Sequence, residues 1–354
     1  MHINNLSIIP NWSLEDLQGQ ALHPSFLSLL AAIQNQSKLT RAADSCNLSY
    51  RHAWNILREA EAFFNHPVTY MERGKGSQLT ELGKVLLQAN QRIEARLHTQ
   101  VESLAMELNA EVHRVLSDQI GILTIYASHG YAVALVPQYL SNYQAELHYH
   151  GSSDALRALN AGMCKIAGFN LPIYQKIASQ QNEFIELLNA DKVRICRFIT
   201  RQQGLMVSPE VNISITTLHD LAEKNIRFIN RQPRSGTREL FDQLLLDEKI
   251  DPKSIHGYDN HEYTHSSVAA HVATGMAEVG FGVEAAAAMF DLTFIPITQD
   301  RYFWTYRIES ENDPEIMAFN DMLKSTEFQQ EVNLLAGYQC DQSGDFVSAD
   351  DLLR

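Results

Sequence analysis

Small hydroxyl residues recur at four turns, each of which precedes a predicted helix. The turns are Ser128-His129-Gly130, Gly151-Ser152-Ser153, Ser235-Gly236-Thr237-Arg238 and Thr264-His265-Ser266. The first N–H groups of a helix lack intrahelical acceptors and lie at the positive end of its dipole, so such turns favour anions. One such turn on its own is commonly just an ordinary helix cap. If the four turns converge, they form a site for an oxyanion or a carboxylate.

Charged and imidazole groups add to this prediction. Arg238 is placed to give an anion a charge-assisted bidentate contact, and Arg201 and Arg234 are weaker candidates. The two histidines of the turns are either anion donors or satisfied structural residues. The predicted ligand-binding residues are Ser128, His129, Ser152, Ser153, Ser235, Gly236, Thr237, Arg238, Thr264 and His265.

Residues 261–265 read HEYTH and fit the H-E-x-x-H signature of zinc peptidases. Zinc binding needs both histidines on one helix and a third ligand. The preceding GYDN and the capping character of Thr264 instead place His261 in a loop and His265 in a first helical turn. We therefore predict no metal site, no catalytic residue and no enzyme, and a zinc hydrolase is a disfavoured alternative.

Strands and helices alternate after Asp118, which predicts an α/β domain with a parallel sheet. Three strands are read in GILTIYAS, ELHYHGSS and CKIAGF, and a helix is read over Tyr131 to Tyr143. ICRFITRQQGLMV is another strand, through or beside a crossover, and IRFINRQPRSGTRELFDQLLLDEK is strand, turn and helix. TFIPITQDRYFWTYR suggests two further strands, and the last ~40 residues look mainly helical.

The segment Leu39 to Phe64 is typical of a helix-turn-helix. A polar turn precedes Ser49, a plausible N-cap whose hydroxyl can accept from the first turn of the next helix. Small and apolar residues then recur at helical spacing beneath a polar outer face, as in a helix that reads the DNA major groove. The predicted DNA-binding residues of this helix are Ser49, Tyr50, Arg51, His52, Asn55 and Arg58. An ordinary helical hairpin is the alternative.

The stretch VTYMERGKGSQLT after Pro67 suggests a two-stranded wing. Arg73 and Lys75 would lie at its tip and contact phosphate or the minor groove. An ordinary basic hairpin is the alternative.

Apolar residues from Thr80 to Leu116 step by 7, 4, 7, 4 and 7 positions. They are Leu86, Ile93, Leu97, Leu104, Leu108 and Val115. This seam predicts a coiled coil and therefore a homodimer, with a tetramer as the alternative. A dimer would present two recognition helices to a two-fold operator. A lone helix packed on its own domain could give the same pattern. The predicted domains are residues 1–83, 84–117 and 118–354.

Charge and composition limit the function classes. The chain has 354 residues and a formal charge of −14. Residues 1–115 hold ten Lys/Arg and eleven Asp/Glu, which gives −1 and leaves −13 for the rest. DNA contact must therefore be local and sensitive to salt. The four cysteines lack CxxC spacing, and neither a signal peptide nor a membrane span is seen, so a cytoplasmic protein without membrane contact is expected.

Two resemblances extend this interpretation. FLSLLAAI, SYRHAWNILREAE and ERGKGSQLTELG resemble the winged helix of ModE-type molybdate regulators and, more distantly, the LysR type. RQQGLMV, NRQPRSGTRELFDQLL and GYDNHEYTHSSVAAHVATGMAEVGFG look like the type II periplasmic-binding-protein domain fused to some bacterial regulators. The resemblance implies a small-anion effector, either molybdate, tungstate or formate, and no other cofactor. The sequence departs from the family pattern at Asn170, where a histidine is expected.

The fold class that these features predict is a multidomain chain. It has an all-α or winged-helix N-terminal domain, a long linker helix and a two-lobed α/β periplasmic-binding-protein-like domain. The leading function is a ligand-responsive transcription regulator that binds double-stranded operator DNA and a small anion. An anion storage or delivery protein without sequence-specific DNA binding is the alternative.

Overall fold

The computed structural model describes residues 6–72, 76–116, 121–140, 143–172, 186–211, 214–233, 235–340, 342–348 and 352. The predicted wing-tip residues Arg73 and Lys75 and the weaker ligand candidate Arg234 lie outside this part of the chain. Residue contacts divide the chain into two compact units. Residues 9–97 form the first, and residues 98–354 with the N-terminal segment up to Ile8 form the second.

The first unit is a winged helix-turn-helix. Its elements are α1 (Phe26–Gln36), α2 (Leu39–Ser45), α3 (Tyr50–Phe64), β1 (Thr69–Glu72) and β2 (Gly76–Leu79). Ala42 of α2 and Ala53 of α3 are fully buried, and such small side chains let the two helices approach closely. The antiparallel pairing of β1 with β2 confirms the predicted wing strands. Gly76 has φ +90° and a Cβ there would overlap the Ser37 carbonyl oxygen, so the wing requires glycine at this position.

The long helix α4 (Glu81–Leu116) has 36 residues and is therefore about 54 Å long. Most of its predicted seam is exposed in the single chain, with Leu104 at 55% and Val115 at 83% exposure. The boundary between the two compact units falls inside this helix, between Leu97 and His98. The predicted division at residues 83 and 117 differs from that boundary and stays a prediction. No described helix combines the length and apolar composition that a membrane span needs.

The second unit combines a mixed sheet with helices. Its strands are β3 (Ile122–Ala127), β4 (Gln144–Tyr149), β5 (Ile166–Pro172), β6 (Val193–Val207), β7 (Phe228–Arg231), β8 (His261–Glu262), β9 (Val279–Val283), β10 (Thr293–Arg307), β11 (Tyr338–Gln339) and β12 (Phe346–Val347). Its α-helices are α5 (Tyr131–Tyr139), α6 (Ser152–Ala161), α7 (His219–Glu223), α8 (Gly236–Asp247), α9 (His265–Ala273), α10 (Glu284–Met289), α11 (Pro314–Lys324) and α12 (Thr326–Asn333). Short 3-10 helices lie at Ala190–Lys192, Pro252–Ser254 and Ile308–Ser310.

Two long strands connect two lobes. The strand order is β4-β3-β5-β10-β6-β9-β7-β8, and the short β11 and β12 pair with β6. The C-terminal part of β10 pairs with β5 in the first lobe, and the C-terminal part of β6 pairs with β9 in the second. Phe169 and Phe303 stack in the first lobe, and Phe228 and Phe241 stack in the second. The predicted crossover strand is thus confirmed as β6.

Two predictions about elements are wrong. Residues 293–307 form one continuous strand rather than two. Their polar centre suggests a break, but Asp300 is fully buried there and paired with Arg201, so the strand continues through it. The helix after β3 ends at Tyr139 rather than at Tyr143, two residues after Pro137, which lacks the N–H that a helix interior uses.

Candidate ligand cleft and recognition helix

Arg201 and Asp300 form a buried ion pair on the two strands that cross between the lobes. They lie directly opposite each other in the β6–β10 register. Nε and Nη2 of Arg201 each donate to Asp300 at 2.8 Å, which is a bidentate contact. Burial opposes the charge of Arg201, but the facing carboxylate outweighs it and raises the pKa of the guanidinium. The weaker candidate Arg201 is therefore already neutralised within the protein.

Arg231 is a second buried arginine, and sequence reasoning missed it. It ends β7, and it donates to the side chain of Gln232 at 3.2 Å and to the carbonyl of Tyr263 at 3.0 Å. No carboxylate pairs with it in the described ranges. Burial and the charge of Arg201 lower its pKa to about 10, so it stays protonated at neutral pH. The available signal was a charged residue at the carboxyl end of the apolar strand FIN, just before a hydroxyl-rich turn.

The starts of α6 and α8 meet at Asn170. Ser152 Oγ donates to Asn170 Oδ1 at 3.0 Å, and the Asn170 amide in turn approaches Asp300 at 3.3 Å. A Cβ on Gly236 would lie 2.7 Å from the same amide nitrogen, so a larger residue there would displace the Asn170 side chain. The residue that departs from the family pattern therefore joins two of the four predicted turns. Ser153 lies half-buried in the first turn of α6.

The starts of α8, α9 and α5 are also connected. Thr237 Oγ1 lies 3.4 Å from His265 Nε2, and Tyr131 OH lies 2.7 Å from Ser266 Oγ. The Ser128 backbone N–H and hydroxyl donate to Tyr302 OH at 3.1 and 3.2 Å. The structure thus brings the predicted turns together at the lobe junction, around donors from helix N-termini.

His129 and His265 are buried in this cleft. Burial, followed by the nearby positive charge of Arg231, lowers the pKa of His129 to about 3. The same causes hold the pKa of His265 well below its usual value. Both imidazoles are therefore neutral at pH 7, and the Nδ1 atom of each is buried without a hydrogen-bond partner in the described part of the chain.

Arg238, one of the predicted ligand contacts, already has partners within the protein. Its Nε donates to Asp242 at 2.8 Å, and its guanidinium lies 4.1 Å from the centre of the Tyr258 ring. The spacing i,i+4 on α8 makes this pair local, which the sequence interpretation overlooked. The hydroxyls of Ser235 and Thr264 cap α8 and α9, so their turns offer backbone N–H groups rather than side chains.

The HEYTH segment does not have zinc-peptidase geometry. His261 is exposed on β8, whereas His265 is the buried first residue of α9. Thr264 accepts from the Ser267 N–H at 3.0 Å, which confirms the predicted cap. Glu262 is buried 3.4 Å from His271. The described residues contain no group of three His, Cys, Asp or Glu side chains that could hold a metal ion.

The helix α3 presents a polar face. Ser49 caps it by accepting from the His52 N–H at 3.2 Å. The predicted contact residues on α3 are all exposed: Tyr50, Arg51, His52, Asn55 and Arg58. The guanidinium of Arg58 lies 4.8 Å from the Trp54 ring and pairs with Glu61 at 3.0 Å.

The sequence relatives of this chain include an uncharacterized protein, a probable transcriptional regulator and a molybdenum transport protein. YvgK of Bacillus subtilis, itself uncharacterized, is 27% identical over 201 residues, 56% of this chain and 64% of that protein, so the match spans less than two thirds of the relative. A probable RuBisCO transcriptional regulator of Phaeodactylum tricornutum is 27% identical over 65% of this chain and 70% of that protein. The molybdenum transport protein ModE of Azotobacter vinelandii is 28% identical over 27% of this chain and 37% of that protein.

The predicted similarity to ModE is confirmed over that part of the chain, and solved structures are matched as well. Two solved LysR-family transcriptional regulators, CbnR and VV2_1132, align with 84% of this chain and with 98% and 97% of their own. They are 16% and 12% identical, with TM-scores of 0.39 and 0.42. The family model described as PBP superfamily domain matches residues 134–324, more than half of the chain. This chain belongs to the PBP superfamily.

Proposed function

We propose that this chain is a ligand-responsive transcription regulator rather than an enzyme, with a small anion as its effector. The observation that carries the ligand part is Arg231, a buried cation that no carboxylate neutralises among the described residues. An uncompensated buried charge is costly, and a bound anion would offset that cost. The N-termini of α6, α8 and α9 add donors and partial positive charge around the same cleft.

The proposed effector is molybdate, tungstate or formate. All three are small anions that hydroxyl and N–H donors can hold together with Arg231. Molybdate and tungstate are favoured by the similarity to a relative whose name is molybdenum transport protein. Because the two long strands cross between the lobes, a ligand that prefers one arrangement of the lobes would shift their equilibrium.

The DNA part rests on the exposed polar face of α3 and the wing beside it. In a chain of net charge −14, contact with phosphate must be local, so we expect affinity to fall steeply with salt. The exposed seam of α4 supports a homodimer, or a tetramer, that binds a two-fold operator. The proposed location of this assembly is the cytoplasm. Burying residues such as Leu104 and Val115 would favour this pairing.

Footprinting on the DNA upstream of the chain's own gene and its neighbours tests the DNA part. The double variant Arg51→Ala, Arg58→Ala is expected to bind about tenfold or more weakly than the original chain. Arg157→Ala is the control, because Arg157 is also an exposed arginine in a local ion pair but belongs to the second unit. Normal footprints by the double variant would remove the DNA part and favour anion storage or delivery.

Thr237→Ala tests the ligand part. Thr237 is buried beside His265 at the start of α8, and it belongs to the second unit, whereas α3 belongs to the first. We expect this variant to keep DNA binding and to lose the response of DNA binding to molybdate. Titration calorimetry of the full chain measures the anion directly. No heat with molybdate, tungstate or formate would remove all three as effectors.

A further inference from the structure

One acidic side chain of the long helix α4 reaches the cleft. Oε2 of Glu102 lies 3.9 Å from Nε2 of His129, and both residues belong to the second compact unit. Both side chains are largely shielded from water. Burial raises the pKa of the Glu102 carboxyl, although the neighbouring His98 opposes the rise. A carboxylate in such a place gains from a hydrogen-bond donor, and His129 is the cleft group that faces it.

The remaining sides of His129 are packed. Its ring lies edge-on to Tyr149, with centroids 5.0 Å apart, and edge-on to Tyr131 at 6.3 Å. One nitrogen faces Glu102, and the other is buried without a partner in the described ranges. The imidazole is therefore wedged between the helix and the cleft, with one nitrogen left for a further interaction.

A bound anion would change the electrostatic potential at the His129 ring. Burial and the charges of Arg231 and Arg201 keep the ring neutral, so it interacts only weakly with Glu102, at a distance longer than a hydrogen bond. An anion beside the arginines would cancel their potential at the ring. The imidazole would then become easier to protonate and a stronger donor to the carboxylate. His265 faces the same arginines and His129, and no carboxylate contact to it is seen in the described part.

We propose that the His129–Glu102 contact reports an anion in the cleft to helix α4. This inference rests on the proposed anion site. Anion binding tightens the contact, and because coupling between two sites is reciprocal, the contact strengthens anion binding by the same factor. The same helix carries the exposed apolar seam, so the contact links cleft occupancy to the surface through which two chains would pair.

Hydrogen exchange of the full chain with and without molybdate tests this inference. In the original chain, molybdate is expected to slow exchange of amides in residues 98–112 by about fivefold or more. Glu102→Gln is expected to lose that protection and to bind molybdate about fivefold more weakly by calorimetry. Glu107→Gln is the matched control, because Glu107 is an exposed glutamate of the same helix, and it should behave as the original chain.

The outcomes separate the two proposals. No heat from the original chain with molybdate, tungstate or formate would remove the proposed anion site and this inference together. Heat without protection of α4, or equal protection in Glu102→Gln, would overturn the inference alone. The imidazole resonance of His129, assigned with His129→Gln, provides a further measurement. Its pKa should rise when molybdate binds, and an unchanged or lower pKa would also contradict the inference.

Discussion

The recognition helix and the cleft use the same residue type in opposite surroundings. On α3, Arg51 and Arg58 are exposed, and they lie within one short segment. In the cleft, Arg201 and Arg231 are buried and come from two strands of the sheet. Water solvates the first pair, so those cations need no partner. The cleft excludes water, so each of its cations requires an anion, and only Arg201 has one among the described residues.

This difference sets the expected size of mutational effects. A surface ion pair such as Arg58–Glu61 contributes about 0–1 kcal/mol, because water screens it. Breaking a buried pair costs about 3–5 kcal/mol, since one charge is left without compensation. Variants in the cleft should therefore change stability or affinity more than variants on α3.

The largest effect is expected for Arg201→Met. The substitution leaves Asp300 buried without its bidentate partner, so the free energy of unfolding should fall by about 3–5 kcal/mol. Urea denaturation followed by circular dichroism measures this fall. The double variant Arg201→Met, Asp300→Leu removes both charges and should recover most of the loss. A double variant as unstable as the single one would show that packing, rather than charge, dominates at this position.

Arg231→Met should lower the affinity for the ligand without lowering the stability of the ligand-free protein. It removes a cation without a carboxylate partner in the described ranges, so the ligand-free protein should be no less stable. Molybdate affinity should fall by about 2–5 kcal/mol, at least about thirtyfold, because a buried charge pair with the ligand is lost. Calorimetry measures the affinity. Arg238→Met is the control, since Arg238 already pairs with Asp242, and an equal loss in both variants would contradict a special role for Arg231.

The contrast also explains what the sequence could predict. The helix α3 is defined by residues that are close in sequence, so the cap at Ser49 and the helical spacing identify both the helix and its exposed residues. The four hydroxyl-rich turns are likewise local patterns, and their convergence follows from strands that end at the lobe junction. The continuous strand β10 was missed because its polar centre is stabilised by a partner 99 positions away in sequence, Arg201.

The prediction that Arg238 is free to contact an anion overlooked an ion pair within the protein. Arg238 lies in the turn whose composition looks most suited to anion binding, but it forms an ion pair with Asp242, four residues later on the same helix. The position of Arg231 at the end of a strand, just before a hydroxyl-rich turn, is only a weak signal in the sequence. Its burial, and the lack of a paired carboxylate among the described residues, are visible only in three dimensions. Sequence pattern therefore locates the cleft, whereas the structure distinguishes the neutralised cation from the uncompensated one.

Acidification should weaken the second unit through its buried histidines. The pKa of His129 is lowered from 6.5 to about 3, and that of His265 is also well below 6.5. Below pH 6.5 the unfolded chain binds protons that the folded chain does not, so the free energy of unfolding falls as pH falls. The slope should approach about 1.4 kcal/mol per pH unit for each histidine. Urea denaturation at pH 7.5, 6.5 and 5.5 measures it.

A double variant isolates this effect from that of the carboxylates. His129→Gln, His265→Gln should reduce the loss of stability between pH 6.5 and 5.5 by about 2–3 kcal/mol. His219→Gln is the control substitution, because His219 is an exposed histidine of the same unit. An identical pH dependence in the double variant would mean that the two imidazoles do not resist protonation in the folded protein.

The smallest effect is expected for a substitution at the start of the exposed helix α3. Ser49 accepts a hydrogen bond from the first turn of α3, so Ser49→Ala should lower the stability of the winged helix by about 1 kcal/mol. Ser25 occupies the equivalent position before α1 but makes no side-chain cap hydrogen bond. Ser25→Ala should therefore change stability by less than Ser49→Ala in parallel urea denaturations. Equal losses would indicate that general helix propensity, rather than the cap, sets the stability of α3.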